Sequence, residues 1–118
     1  MDFLIESVLI IGADEFYRTS RYKIPLFVIL INTDDKNAFN ILEKCTRRTD
    51  IIQQLNSDLL VVFLTHTNHD SALLFVDKIR DKFDFTYTGN EFTNSDSEFV
   101  KTLFVENSKK IQNDFNQY

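Results

Sequence analysis

Glycine, proline and cysteine are scarce in this chain of 118 residues, which contains two glycines, one proline and one cysteine. Two glycines leave little room for a glycine-lined phosphate loop, whose backbone must approach its ligand closely. A single cysteine excludes an intrachain disulfide and a cysteine-based metal cluster. We interpret Cys45 as a small buried hydrophobic residue on a helix, since a catalytic thiolate needs a basic or histidine neighbour and both histidines lie elsewhere in the sequence.

Positive charge is also in short supply, because the formal net charge is -5. Binding to nucleic acid requires a basic face, and no six-residue window is dominated by lysine and arginine, so we predict no nucleic-acid partner. The longest apolar run, residues 25–31, is too short to span a membrane, and residues 1–3 lack the basic start of a signal peptide. We therefore predict a cytoplasmic protein without a membrane partner.

Hydrophobic residues are abundant: they make up 43% of the chain and include twelve phenylalanines. This composition is typical of a folded globule rather than a disordered chain. The length suits one hydrophobic core, and the sequence shows no linker, repeat or low-complexity tract. We predict a single domain over residues 1–118.

Hydrophobic periodicity predicts alternating helices and strands. Helices are predicted over residues 3–22, 37–47, 71–83 and 98–115, and strands over residues 26–31, 50–55 and 58–64, with short strands around Gly89-Asn90. A tight hairpin is expected at Asn56-Ser57. The predicted fold class is α/β (α+β), a small mixed β-sheet flanked by helices in a ferredoxin-like split βαβ arrangement.

Three segments carry a family resemblance because they occur in one order and spacing. Residues 18–26, Arg-Thr-Ser-Arg-Tyr-Lys-Ile-Pro-Leu, are similar to a helix-to-strand passage R-A-x-R-Y-x-x-P-L. A second similarity, to R-x-x-D-x5-G-G-D-E-F, is carried by Arg47-Arg48-Thr49-Asp50, then five intervening residues, then Asn56-Ser57-Asp58-Leu59-Leu60. Leu64-Thr65, Ala72 and Lys78-Ile79-Arg80 are similar to the strand and helix that follow. The chain thus resembles a degenerate GGDEF domain, of the nucleotidyl cyclase (diguanylate cyclase) fold, over about residues 15–83.

This resemblance implies that the residues for catalysis are missing. The family holds divalent metal with an acidic residue at the end of the first strand and with the acidic pair of its signature. Asn32 stands at the first position, and a neutral amide is a weaker ligand for a hard cation. Asn56 and Ser57 replace the signature glycines, Asp58 keeps the first acid, and Leu59 replaces the second. The resemblance therefore implies a domain that is not an enzyme and that holds no metal or cofactor.

A near-copy of the signature occurs at Gly12-Ala13-Asp14-Glu15-Phe16, ahead of the first strand. The family needs its signature on a hairpin, whereas this segment lies in a predicted amphipathic helix. We interpret it as helix, with Phe16 in the core.

The Arg47-x-x-Asp50 spacing is the family feature that survives, and in relatives it binds cyclic di-GMP. A guanidinium donates paired hydrogen bonds in one plane, which suits phosphate and guanine, and Arg48 adds charge nearby. The alternative is a pair of arginines at a helix C-terminus, favoured by the helix dipole, with Asp50 leading into a strand.

Two polar clusters offer weaker metal candidates. Asp34, Asp35 and Asp58 could gather a cation where strand ends adjoin, although aspartates at such places commonly cap a helix or close a turn, which we favour. His66 and His69 could bind zinc but lack a defined third ligand. We favour a solvated loop in which Asn68 or Asp70 caps the next helix.

Most aromatic side chains are expected in the core. Phe85, Tyr87 and Phe92 could instead form an exposed surface for a partner.

The leading hypothesis is a catalytically inactive GGDEF-like signalling domain that acts as a regulatory or protein-interaction module, with a protein partner or a second copy of itself. A cyclic di-GMP receptor using Arg47 and Asp50 is the first alternative. An unrelated small α/β protein that docks on a partner is the second.

Overall fold

A computed structural model describes the backbone of residues 2–116 and the side chains of residues 3–111. The elements in chain order are α1 (Asp2–Ile11), α2 (Ala13–Tyr22), β1 (Leu26–Asn32), α3 (Ala38–Cys45), β2 (Ile51–Asn56), β3 (Leu59–Thr65), α4 (His69–Arg80), β4 (Thr86–Glu91) and α5 (Asp96–Asn116).

The four strands form one sheet in the order β2-β3-β1-β4. The β1–α3–β2 unit is a split βαβ, because β3 lies between its two strands, and β4 pairs with the free side of β1. This is the ferredoxin-like arrangement that the sequence predicts. The sheet is not mixed, however: every neighbouring pair is antiparallel, since the two parallel strands are separated by β3.

Strand β1 is the centre of the structure. All six residues from Leu26 to Ile31 are at most 1% exposed, so both faces of the strand are covered. An uninterrupted apolar strand of this kind needs a layer of helices on each side of the sheet. Burying each of these side chains contributes about 1.5–3 kcal/mol of hydrophobic free energy.

The two faces of the sheet carry separate cores. Alternate residues of β1 and β3 point to one face, where Val8, Phe16 and Phe104 from α1, α2 and α5 cover them. The intervening residues point to the other face, where Leu42 of α3 and Val76 of α4 pack.

The helix predicted over residues 3–22 is two helices that meet at Gly12. The helical hydrogen bonds continue through the junction, from Gly12 N to the Val8 carbonyl at 3.0 Å and from Phe16 N to the Gly12 carbonyl at 2.9 Å. A Cβ atom at Gly12 would lie 2.3 Å from the Phe63 ring, so glycine is needed for close packing. The near-signature that begins here is therefore helical, with Phe16 buried as predicted.

Gly89 lies inside a strand rather than at a turn. The short strands predicted around Gly89-Asn90 are one continuous strand, β4, and this expectation was wrong. A Cβ atom at Gly89 would lie 2.7 Å from a ring carbon of Phe27. Close approach of the central strand therefore explains the second glycine as well.

Helix α4 begins two residues before the predicted start. The Asn68 side chain accepts a hydrogen bond from Ser71 N at 3.0 Å and caps the helix, as expected of Asn68 or Asp70. Helix α5 extends from Asp96 and Ser95 precedes it, in the predicted cluster of capping residues. Within residues 2–116, no helix combines the length and the hydropathy needed to cross a membrane.

We predict that Gly12→Ala lowers the free energy of unfolding by about 1–3 kcal/mol, because the added methyl group overlaps the buried Phe63 ring. Chemical denaturation monitored by circular dichroism measures this change. The matched control is Ser20→Ala, an exposed position in α2, which should change stability by less than about 0.5 kcal/mol. Equal stability of Gly12→Ala and the parent chain would contradict this packing.

Candidate functional site

Three polar residues lie close together at one end of the sheet. Asn32 ends β1 opposite Leu59, and Thr33 N donates to the Asp58 carbonyl at 3.1 Å. Asn32, Asp34 and Asp58 line an open depression of about 290 Å³, together with Thr86 of β4 and Ile111 of α5. The strand ends therefore bring Asn32, Asp34 and Asp58 side by side.

The side chain of Asn32 is held by helix α5. Its Nδ2 donates to Oδ1 of Asn107 at 2.7 Å, and the Asn107 amide nitrogen lies 3.4 Å from Oδ1 of Asn32. Thr88 Oγ1 lies 3.2 Å from the same Asn107 oxygen, and Asn107 is only 4% exposed. A buried, fully bonded polar network joins β1, β4 and α5 at this point.

Leu59, at the second acidic position of the signature, belongs to the hydrophobic core. It is 5% exposed and packs in the layer covered by α1, α2 and α5. A carboxylate there would be buried among apolar side chains at a large desolvation cost.

The β2–β3 hairpin forms one residue later than predicted. Asn56 pairs with Leu59, so the turn residues are Ser57 and Asp58 rather than Asn56 and Ser57. The Asn56 side chain accepts from Asp58 N at 3.1 Å, so Asn56, and not Asp58, closes the turn. Asn56, Ser57 and Asp58 are all exposed.

Asp35, next to Asp34 at this end of the sheet, bonds within its own loop. Asp35 Oδ1 accepts from Asn37 N at 2.8 Å in a turn before α3. The N-cap residue of α3 is Asn37, without a side-chain cap, so the expectation that Asp34 or Asp35 caps this helix was wrong. In the part of the chain with described side chains, no group of three or more histidine, cysteine, aspartate or glutamate residues is arranged to hold a metal ion.

Arg47 and Asp50 form an ion pair at the opposite end of the sheet. The Arg47 guanidinium contacts both carboxylate oxygens of Asp50, at 3.3 and 3.2 Å, and also donates to Thr67 Oγ1 at 2.9 Å and to the carbonyl of Thr65. The Asp50 carboxylate accepts from Arg47 N at 2.8 Å and Thr65 N at 3.0 Å. The pair therefore fastens the α3–β2 turn to the end of β3.

Exposure differs sharply between the two partners. The Asp50 side chain is 2% exposed, whereas that of Arg47 is 55% exposed. Both Asp50 oxygens are engaged within the chain. Helix α3 ends at Cys45, so Arg47 lies beyond the helix and is held by Asp50, unlike the arginine pair in the helix that the alternative interpretation expected. Arg48 is exposed and lines an open depression of about 450 Å³ beside β2.

The two candidate sites are separate. In the β1–β3 register Asn32 faces Leu59, while Leu26 faces Thr65 beside the Arg47–Asp50 pair. Six residues of strand separate these ends, a distance of about 20 Å. The sheet thus keeps Arg47 away from Asn32 and Asp58.

A cavity of about 360 Å³ adjoins the ion pair and is lined by Cys45, Arg47, His66 and Lys78, among others. Cys45 is half-buried at the end of α3. The sequence separates Cys45 from the histidines, but the fold brings His66 to the same cavity. His66 has a positive φ of 52° in the β3–α4 loop, and His69 begins α4 with its backbone N–H bonded to Glu91.

Phe85, Tyr87 and Phe92 do not share one exposed surface. Phe92 is 6% exposed in the core beneath α1, α2 and α5, whereas Phe85 and Tyr87 are half-buried against the other core. Alternation along the strand separates them, so the predicted partner surface at these three residues was wrong.

Sequence reasoning missed Asn107, the residue that binds Asn32. A signal was present, because Val100, Leu103 and Phe104 form a buried stripe at helical spacing that continues to Asn107. A polar residue in such a stripe indicates a buried hydrogen bond.

Comparisons with known proteins concern the fold. No protein-family model matches this chain, and no curated protein matches it. Among solved structures, a DGC (diguanylate cyclase) protein from Thermotoga maritima is similar, with a TM-score of 0.64 and 15% sequence identity over 88% of this chain and 91% of that chain. The chain therefore has a diguanylate-cyclase-like α+β fold.

We predict that Asn107→Ala destabilises the chain by about 1–3 kcal/mol, because it removes a buried amide and leaves the half-buried Asn32 amide without its partner. Thermal or chemical unfolding measures the loss. Thr102→Ala, an exposed substitution in the same helix, is the control and should be close to neutral. An Asn107→Ala variant as stable as the parent chain would show that α5 is not held by this network.

We predict that Asp50→Ala lowers the free energy of unfolding by about 2 kcal/mol, because it removes the acceptor for two backbone N–H groups and for Arg47. The half-exposed arginine limits the ionic part of this loss. Arg48→Ala, next to Arg47 but exposed, should change stability by less than about 0.5 kcal/mol. Similar unfolding curves for the two variants would refute the fastening role of Asp50.

Proposed function

We propose that this chain is a cytoplasmic GGDEF-like signalling domain without cyclase activity, which acts as a regulatory or protein-interaction module. The diguanylate-cyclase-like fold supports the first part of this proposal. The observation that supports the lack of cyclase activity is the contact between Asn32 and Asn107. It places α5 at the strand end where the resemblance puts a metal ligand.

The chemistry of this end supports the loss of catalysis. Transfer of a phosphoryl or nucleotidyl group requires metal ions held by acidic ligands, which neutralise the charge that develops on the phosphates. Asn32 contributes a neutral amide that already bonds with Asn107. Leu59 contributes an apolar side chain to the core, so the exposed carboxylates that line this depression are those of Asp34 and Asp58.

The hairpin supports the same conclusion. In the family, glycines at the signature let the nucleotide lie against the backbone, as the resemblance implies. Asn56 and Ser57 carry side chains at these positions, and Asn56 uses its amide oxygen to close the turn. The Asn56 side chain therefore stabilises this turn from within the chain.

We predict no conversion of GTP to cyclic di-GMP or pyrophosphate when the chain is incubated with magnesium or manganese. Liquid chromatography of the nucleotides measures turnover, with an active diguanylate cyclase as positive control. The chain carrying Asn32→Ala is the matched negative control, and the parent should give the same background. Turnover by the parent above that background would overturn the proposal.

The competing function, a cyclic di-GMP receptor, depends on Arg47 and Asp50. The exposed guanidinium of Arg47 could meet a phosphate, but the Asp50 carboxylate has no exposed edge for a guanine. We predict no calorimetric binding at high micromolar cyclic di-GMP. Saturable heat that disappears in Arg47→Ala and persists in Arg48→Ala would instead establish the receptor.

A further inference from the structure

The outer edge of β2 is an uncharged edge of a short strand, with a bulge between Gln54 and Asn56. Strand β2 ends the sheet on one side, and its sequence Ile-Ile-Gln-Gln-Leu-Asn contains no charged residue, proline or glycine, although 26% of the whole chain is charged. Soluble proteins usually protect an edge with charge, proline or a covering segment, because its backbone groups can pair with another strand.

The register shows which backbone groups of β2 face outward. Thr33 bonds to Asp58 between β1 and β3, and bonded pairs in an antiparallel ladder recur every second residue. Leu60 and Val62 therefore also bond to β1, which turns the backbone groups of Val61 and Phe63 toward β2. The bond from Thr65 N to Asp50 agrees with this alternation, because Thr65, two residues after Phe63, also turns its backbone N–H toward the β2 side.

Residues Ile51 and Gln53, which face Phe63 and Val61, consequently use their backbone groups within the sheet. Ile52 and Gln54 direct their N–H and C=O groups away from it. A bulge between Gln54 and Asn56 ends this regular segment. The edge therefore offers the backbone of two alternate residues to an incoming strand.

The other edge of the sheet is protected. Phe92 N bonds to the Leu26 carbonyl at 2.8 Å, so the backbone of Tyr87 faces outward on β4. The Tyr87 carbonyl accepts from Lys110 of α5, whose ammonium also lies 4.6 Å from the centre of the Tyr87 ring. The Lys110 side chain thus occupies one outward carbonyl of β4, and we consider β2 as the edge for pairing.

We propose that β2 pairs antiparallel with β2 of a second copy of this chain, across a two-fold axis at Gln53. Ile52 of each copy then faces Gln54 of the other, and each of these pairs exchanges hydrogen bonds in both directions. A two-fold contact uses the same surface on both copies and closes after one addition. A second copy suits this edge because its sequence is neutral and opposes no like charges.

Access to the edge is open among the described residues. Gln53 and Gln54 are exposed, while Ile51 and Ile52 line the depression of about 450 Å³ beside α3. The paired segment is short, so association should be weak, with a Kd on the order of 0.1 mM. The inference rests on the proposed interaction module, for which it names the partner.

Charge substitutions at Gln53 test the pairing, because this exposed residue faces its own copy across the axis. Sedimentation equilibrium should show a dimer for the parent at about 0.5 mM and monomers for Gln53→Lys and Gln53→Glu, since like charges directly opposite destabilise a strand pair. An equimolar mixture of the two variants should dimerise again. A parent that is monomeric at this concentration, or a mixture no more associated than either variant alone, would overturn the proposal.

A backbone variant gives an independent measurement. Gln54→Pro removes an outward N–H without removing a bond to β3, whereas Gln54→Thr keeps that N–H. Gln54→Pro should weaken dimerisation at least tenfold and Gln54→Thr should retain it, with circular dichroism confirming the fold of both. Unchanged association of Gln54→Pro would also overturn the pairing. A monomeric parent without GTP turnover would remove this contact and leave the proposed function standing.

Discussion

Complete burial of β1 is the constraint on which the rest of this structure depends. Six consecutive apolar residues cannot face water on either side, so the sheet needs two layers of helices. Helices α3 and α4 form one layer, and α1, α2 and α5 form the other. Both glycines of the chain are explained by the same constraint, because each lies where a phenylalanine ring of the central strands comes too close for a Cβ atom.

The position of α5 follows from this layering and determines which side chain binds Asn32 at the end of β1. The buried stripe of α5 packs on the sheet and then places Asn107 beside Asn32, where the two side-chain amides form a hydrogen-bonded pair. Leu59 extends the apolar core to the same place. At the far end of the sheet, Arg47 and Asp50 close a turn by bonding to each other and to β3. Each end thus uses its polar residues to hold the fold together.

Much of the fold is readable from sequence because its signals are local. The apolar run at residues 26–31, the capping role of Asn68 and the burial of Phe16 follow from periodicity and side-chain chemistry. The break at Gly12 and the straight passage of β4 through Gly89 could not be predicted, since both depend on where Phe63 and Phe27 lie in three dimensions.

The candidate site was predictable in part for a similar reason. Family spacing correctly brings Asn32 and Asp58 to one place, but it cannot show that Asn107, 75 positions along the chain, binds Asn32. The Arg47-x-x-Asp50 spacing likewise does not show whether the side chains of Arg47 and Asp50 are exposed. Only the bonds of Asp50 to β3 show that its carboxylate is engaged within the chain.

We propose that Asn32, bonded to Asn107 of α5, holds no metal and binds no nucleotide at the end of β1. A titration of the ¹⁵N-labelled chain with GTP and magnesium, followed by nuclear magnetic resonance, tests it most directly. The side-chain amide signals of Asn32 and Asn107 should exchange slowly with water and should not move as nucleotide is added. Saturable movement of these two signals together with that of Asp58 would show that the site opens and binds nucleotide, and would contradict this account.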